Sequence, residues 1–163
     1  MKKILFAIVA IAVAAGAALW LLPNDAKTAP NVTFTTLEGE QITTQDLRGK
    51  VVLVKFWATS CVTCVAQMPD NIENYNALKD RGYDTIAVAM QYDPPNYVKN
   101  FTESRELPFK VVVDATGELA SAFGDVKLTP TAFLIDRQGN IIRRYLGNYD
   151  KDSFLATVEK ALG

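Results

Sequence analysis

The stretch KVVLVKFWATSCVTCVAQMP, Lys50 to Pro69, decides how the rest of the chain is read. Lys50–Trp57 is a nearly continuous apolar run rich in β-branched residues. That is the pattern of a central strand covered on both faces. Cys61 and Cys64, separated by Val62 and Thr63, are the only two cysteines of the chain. From Cys61 to about Arg81 the pattern is helical, with Gly82 as its stop. Pro69 predicts a kink in that helix because it removes a backbone donor. The cysteines therefore stand between a buried strand and a helix start.

Outward from this unit, strands and helices alternate. Upstream, Val32–Thr36 and Glu40–Thr43 read as a hairpin turned at Glu38-Gly39, and Asp46–Gly49 as a short turn of helix ended by glycine. Downstream, Tyr83–Met90 reads as a second buried strand, and Asp93-Pro94-Pro95 as a turn into a helix over 95–106. Phe109–Val113 follows as a short strand, and Asp114–Phe123 as a turn and short helix. Thr131–Asp136 and Asn140–Tyr145 flank Arg137-Gln138-Gly139 as a hairpin, and Asp150 or Asp152 caps a last helix ending near Leu162. The order is hairpin, β-α-β-α-β, hairpin, helix. It predicts an α/β domain, a mixed central sheet with helices on both faces.

Composition narrows the function. The 163 residues fit one domain plus an appendage, and 49% hydrophobic with 21% charged residues is a globular mixture. A net charge of −1 leaves no basic footprint for nucleic acid. There is no histidine, which removes Ser-His-Asp and Cys-His nucleophile pairs, histidine bases and histidine-containing zinc sites.

The chain opens with Lys2 and Lys3, then an uncharged apolar run from Ile4 to Leu22, closed by Pro23 and Asn24. At ~1.5 Å per helical residue this run reaches about 28 Å, the thickness of a bilayer core. Residues 1–23 are read as an inner-membrane anchor, with Trp20 at the interface and the lysines on the cytoplasmic side. A cleaved signal peptide is the alternative, with small-residue sites at Ala12-Val13-Ala14 and Ala15-Gly16-Ala17. The apolar run continues past both sites, which favours the anchor. Either reading exports the domain, to the periplasm or another extracytoplasmic space. Residues 24–31 read as a solvated tether and 32–163 as the domain.

A cysteine at a helix N-terminus lies near unpaired backbone N–H groups, which favour thiolate over thiol. Cys61 is thus read as the attacking sulfur. Cys64, one turn inward, is the more buried sulfur that resolves a mixed disulfide. A purely structural disulfide across so small a loop would constrain the unfolded chain little. A metal site needs further ligands; only Cu(I), which accepts two thiolates, suits a chain with no other cysteine and no histidine. The redox dithiol is favoured, and no cofactor beyond a Cys61–Cys64 disulfide is implied.

FWATSCVTC resembles the active-site segment of thioredoxin-like proteins. The N-terminal apolar run, the leading hairpin, Asp114-Ala115-Thr116-Gly117, Phe123-Gly124 and Thr129-Pro130-Thr131-Ala132-Phe133-Leu134-Ile135-Asp136 are similar to the TlpA/ResA-like branch, over about Val32 to Leu162. That resemblance implies a thioredoxin-like three-layer α/β/α sandwich with an added N-terminal hairpin. It also implies a membrane-anchored thiol-disulfide oxidoreductase whose partners are exported proteins bearing disulfides and a membrane-embedded thiol electron donor. By the same resemblance Pro130 is the family's cis-proline, and the Thr129 backbone pairs with an incoming substrate strand.

The sequence departs from that family at three positions. Ser60 replaces the aromatic residue that often precedes the first cysteine; it is read as a small residue opening the surface, or as a donor to the Cys61 thiolate. Gln67 stands where the branch often has a glutamate, and glutamine cannot titrate as a base. Lys55 stands where thioredoxins carry a buried aspartate and this branch often has asparagine. Two readings of Lys55 stand: a stem crossing the sheet edge with its ammonium in water, or a desolvated lysine beneath the dithiol. Trp57, closing the strand, is a further candidate modulator.

Val62-Thr63 contains neither histidine nor proline, which leans towards a reducing dithiol. The leading expectation is an exported protein-disulfide reductase. The alternative is a copper-handling protein that binds Cu(I) or reduces the cysteines of a copper-site apoprotein. A peroxidase reading is disfavoured, since Ala58 occupies the threonine offset of Pro-x-x-x-Thr-x-x-Cys and no proline precedes it. The Gly-x-Pro-Glu signature of a cytochrome c maturation subgroup is absent. Substrate choice is expected to lie in the loops 92–97 and 124–128.

Overall fold

The computed structural model describes residues 27–163; the apolar segment read as an anchor or signal peptide lies outside the described residues. Among the described residues no helix is long and apolar enough to cross a membrane.

Val51–Trp57 forms β3, buried at every position. It pairs in parallel with β4, Tyr83–Ala89, and antiparallel with β6, Thr131–Ile135. With β5, Lys110–Val113, and β7, Ile141–Leu146, the order is β5-β4-β3-β6-β7, a mixed sheet centred on β3. The leading hairpin is β1, Thr33–Thr35, and β2, Gln41–Thr43, with Phe34 opposite Ile42. The α/β architecture and the mixed sheet are those expected.

The helices divide unequally between the faces. The crossovers β3→β4 and β4→β5 step the same way along the sheet, so right-handed connections place both on one face. That face carries α1, Val62–Ala66, α2, Met68–Leu78, and α3, Pro95–Ser104; the last helix, α5, Lys151–Leu162, packs there too. Phe154 and Val158 of α5 meet Leu53 and Leu134. The opposite face is closed by the hairpin and the short α4, Glu118–Ala122, through Phe34, Leu119 and Phe123 on Val54, Phe56 and Phe133. Alternation along β3 sends Val52, Val54 and Phe56 to this face and Val51, Leu53, Lys55 and Trp57 to the other.

Three expectations are corrected. The helix after Cys61 breaks rather than kinks: α1 ends at Gln67, and Pro69 falls in the first turn of α2, where a missing N–H leaves no bond unmade. Asp46–Gly49 forms hydrogen-bonded turns, with Asp46 N donating to Thr43 O and Arg48 N to Gln45 O, and does not wind into a helix. Residues 27–30, expected in the tether, dock on the sheet: Ile141 N donates to Lys27 O, Ala29 N to Gly139 O, and Ala29 is buried. Gly82 ends the 3₁₀ turn Lys79–Arg81 at φ +91°, a conformation that favours glycine. Asp150, not Asp152, caps α5, accepting from Ser153 N at 2.8 Å.

Phe154 is fully buried at the centre of the α5 contact, among Leu53, Leu134, Tyr145 and Tyr149. Phe154→Ala is expected to lower stability by about 3–5 kcal/mol. Urea denaturation of the oxidised protein measures it.

Candidate active site

The dithiol sits at the carboxyl end of β3. After Trp57 the chain turns through Ala58, Thr59 and Ser60, and Cys61 N donates to Ala58 O. The turn is pinned from outside by Asp93, which is buried and accepts from Thr59 N at 2.6 Å and from Thr59 Oγ1 at 2.5 Å. Asp93 is itself fixed by Asp93 N donating to Met90 O, and Met90 N donates to Trp57 O. The sequence showed Asp93 only as a turn residue; an aspartate ahead of Pro-Pro was the one available signal that its carboxylate would be aimed at a neighbouring loop.

Cys61 is the N-cap of α1, with φ −86° and ψ 100°, and its Sγ accepts from Cys64 N at 3.2 Å. It is disulfide-bonded to Cys64, Cα to Cα 5.2 Å. The two sulfurs differ in access. Cys61 is partly exposed beside Val62, which is 83% exposed, whereas Cys64 is 0% exposed between Trp57 and Met68. An attacking sulfur must meet a substrate, and a resolving sulfur must meet only its neighbour. Trp57 is fully buried, its ring centroid 5.1 Å from that of Phe101, and forms part of the wall behind Cys64. Ser60 is exposed at the surface ahead of Cys61.

Lys55 lies buried in the central strand, not at the sheet edge. It is 1% exposed in the central strand, so the reading in which its ammonium reaches water is overturned. Its neighbours across the sheet are Ala87 and Ala132, small residues that leave room for the stem. Lys55 Nζ donates to Gln67 Oε1 at 2.6 Å, and Nζ lies 5.6 Å from the ring centroid of Tyr149. Gln67 Nε2 donates to Asn148 Oδ1 at 2.7 Å and to Gly147 O at 3.5 Å. Burial pulls the Lys55 ammonium down to about 7, with the Asp70 carboxylate working in the opposite direction. Asn148 and Tyr149 join from the loop after β7. No local pattern marks them, because their partners Gln67 and Lys55 are distant in sequence.

The Thr129–Pro130 bond is cis. Phe56 pairs with Thr131, so Pro130 stands at the same end of the sheet as Trp57 and the turn into Cys61. Gly147 N donates to Pro130 O at 2.8 Å, linking the proline loop to the Gln67 network. Gly147 adopts φ +77°, so a side chain there would strain the link. The hydroxyls of Tyr92 and Thr129 lie 3.4 Å apart, and Leu128 beside them is 63% exposed. The fold thus brings Cys61, Cys64, Lys55, Gln67, Trp57, Thr129 and Pro130 to one sheet end, from segments about seventy residues apart.

A disulfide with one accessible and one enclosed sulfur, at a helix start on a thioredoxin-like sheet, defines a thiol-disulfide oxidoreductase. Residues 24–162 match the Redoxin family, and the chain belongs to that family. It is 37% identical over 134 residues to the thiol-disulfide oxidoreductase ResA of Bacillus thuringiensis subsp. konkukian, spanning 82% of this chain and 76% of that one. It is 33% identical over 132 residues to the ResA of Geobacillus thermodenitrificans, spanning 81% and 75%. A thiol:disulfide interchange protein of the thioredoxin family from Chlorobium tepidum superposes with a TM-score of 0.77 at 30% identity, covering 85% of this chain and 97% of that one.

The burial of Lys55 carries a signature in stability. With its folded value near 7 and an unfolded value near 10.5, the unfolded chain binds more protons between them. Stability of the oxidised protein therefore rises as pH increases across that window. Lys55→Met is expected to flatten this rise, measured as the midpoint of urea unfolding against pH.

Proposed function

We propose that the protein is a reductase of disulfides in exported proteins. The observation that carries this is the unequal access of the two sulfurs, Cys61 partly open and Cys64 fully enclosed. In the proposed cycle the Cys61 thiolate attacks one sulfur of a substrate disulfide. This forms a mixed disulfide and expels a substrate thiolate, which takes up a proton. Cys64 then attacks Cys61 Sγ and expels the second substrate thiolate. The substrate disulfide gains two electrons and the dithiol loses two.

The reductive direction is supported by Val62-Thr63, which places no histidine beside the Cys61 thiolate to stabilise the reduced state. Export is supported by Lys2, Lys3 and the apolar run 4–22, which make the proposed protein an inner-membrane one with its domain on the outer side. The re-reducing partner in this reading is a membrane-embedded thiol donor. Thr129 and Pro130 are the proposed contact for the substrate backbone beside Cys61.

Two measurements test the proposal. The potential of the dithiol, equilibrated against a thiol redox buffer, is expected nearer the thioredoxin value of about −270 mV than the strong-oxidant value of about −120 mV. A result at the oxidant end would replace reductase by oxidase. Cys64→Ala, expressed in cells, is expected to accumulate mixed disulfides on Cys61 with exported proteins, identified by mass spectrometry. No captured partner, together with tight Cu(I) binding by the reduced wild type, would shift the function to copper handling.

A further inference from the structure

We propose that the open edge of β7 docks on anionic phospholipid headgroups, so that the domain lies edge-on against the membrane that anchors it. The inference rests on the reading of residues 4–22 as a retained anchor. The apolar run ends at Leu22, yet the chain is already bonded into the sheet at Lys27. Lys27 O accepts from Ile141 N at 2.9 Å, Ala29 N donates to Gly139 O at 2.9 Å, and Thr28 bridges Asn140. Five Cα steps of at most ~3.6 Å lead from Leu22 to Lys27, about 18 Å at full stretch. The headgroup layer takes up roughly 5–7 Å of that. The surface around Lys27 is thus held within about 10 Å of the headgroups, close to the Debye length of ~8 Å at physiological salt. Charges on that surface are not screened from the lipid.

Those charges have the sign to be attracted. Arg143 and Arg144 of β7 are exposed, as are Lys27 and Arg48, whose side chain lies over Gly139. The two arginines stand opposite Leu134 and Phe133 and project to opposite faces of the sheet, so they straddle its edge. Among the described residues none of these four cations has a carboxylate within ion-pair distance. The carboxylates near them in the fold are bonded within their own turns. Asp136 accepts from Gln138 N, Asn140 N and Asn140 Nδ2, and Asp46 accepts from Thr43 N. Asp25, in the connecting residues, is the remaining acid, and the cations stay in excess.

The edge is also uncovered. At the far side of the sheet the segment around the leading hairpin closes β5, with Leu37 N donating to Val111 O. On β7, residues 27–29 cover only the start, and Ile142 and Leu146 are 37% and 58% exposed. A bare strand edge with apolar side chains invites pairing between chains, and cations on both faces oppose a second copy of the same edge. The same cations suit an anionic lipid. Beside them a cleft of about 270 Å³, lined by Lys27, Phe123, Ile141 and Arg144, combines positive charge with apolar walls, as the boundary between headgroups and acyl chains requires.

Edge-on docking sets the height and direction of the dithiol. β3 lies two strands from β7, about 10 Å at ~4.8 Å per strand. The strands then run along the bilayer, and Cys61, at the end of β3, opens parallel to its surface. That leaves Cys61 open to exported chains and close to a donor embedded in the same membrane.

The full chain, reconstituted in nanodiscs of phosphatidylcholine with or without phosphatidylglycerol, tests this by hydrogen exchange. Amides of residues 139–147 are expected to exchange about tenfold more slowly in the anionic discs. The difference is expected to vanish in about 1 M salt, where the Debye length is about 3 Å. Combining Lys27→Gln, Arg143→Gln and Arg144→Gln is expected to remove the difference as well. Reduction of the Cys61–Cys64 disulfide by dithiothreitol at the wild-type rate checks that this variant is folded, and if it is not, the salt dependence of the wild type decides. Equal exchange in the two lipids overturns the inference. So does protection that persists in both lipids and in salt, which pairing with a second copy would give. A chain that escapes from both kinds of disc overturns the anchor reading, and this inference with it; a chain retained in both without lipid dependence overturns the inference alone.

Discussion

A strand covered on both faces has no route to water for a polar side chain, and β3 carries one. Val51, Val52, Leu53, Val54, Phe56 and Trp57 satisfy the constraint by being apolar. Lys55 satisfies it only because the surrounding structure meets it. Alanine stands on both neighbouring strands, Gln67 comes down from the helix above, and the face of Tyr149 lies alongside. Leaving a buried ammonium without such partners costs several kcal/mol, so the arrangement around Lys55 restricts what α1, α2 and the loop after β7 can do. The break at Gln67 follows the same logic. It ends one helix and begins the next while the side chain that fills the gap bonds to the lysine.

The reactive end inherits its order from this core. β3 delivers the chain to Asp93, which holds Thr59, and the turn presents Cys61 outward and Cys64 inward. Pro130 arrives on the adjacent strand, and Gly147 ties its carbonyl to the network that ends at Lys55. A single chain of hydrogen bonds therefore runs from the proline loop through Gly147 and Gln67 to the central strand. Redox chemistry at the surface and packing in the interior share it.

This member of the Redoxin family carries an ionisable group, Lys55, buried in its central strand. Where the branch it resembles often places a glutamate on the helix, this protein has the uncharged Gln67. Where that branch often has asparagine on the strand, it has Lys55. The hydrogen bond from Lys55 to Gln67 joins the central strand to the active-site helix.

The sequence alone determined the alternation of strands and helices, the central position of Lys50–Trp57 and the identity of the two cysteines. Each is encoded locally, in a run of β-branched residues, in turn residues at fixed offsets, or in residue chemistry. It also marked Lys55 and Gln67 as unusual, but not as partners. Only the tertiary structure decided that Lys55 is buried, because burial depends on which strands flank β3, and those strands come from residues 83–89 and 131–135. The same holds for Asp93 and Asn148, whose contacts with Thr59 and Gln67 span 34 and 81 residues. The unequal covering of the sheet was likewise invisible, since the face a helix takes is set by the handedness and direction of successive crossovers rather than by its own sequence.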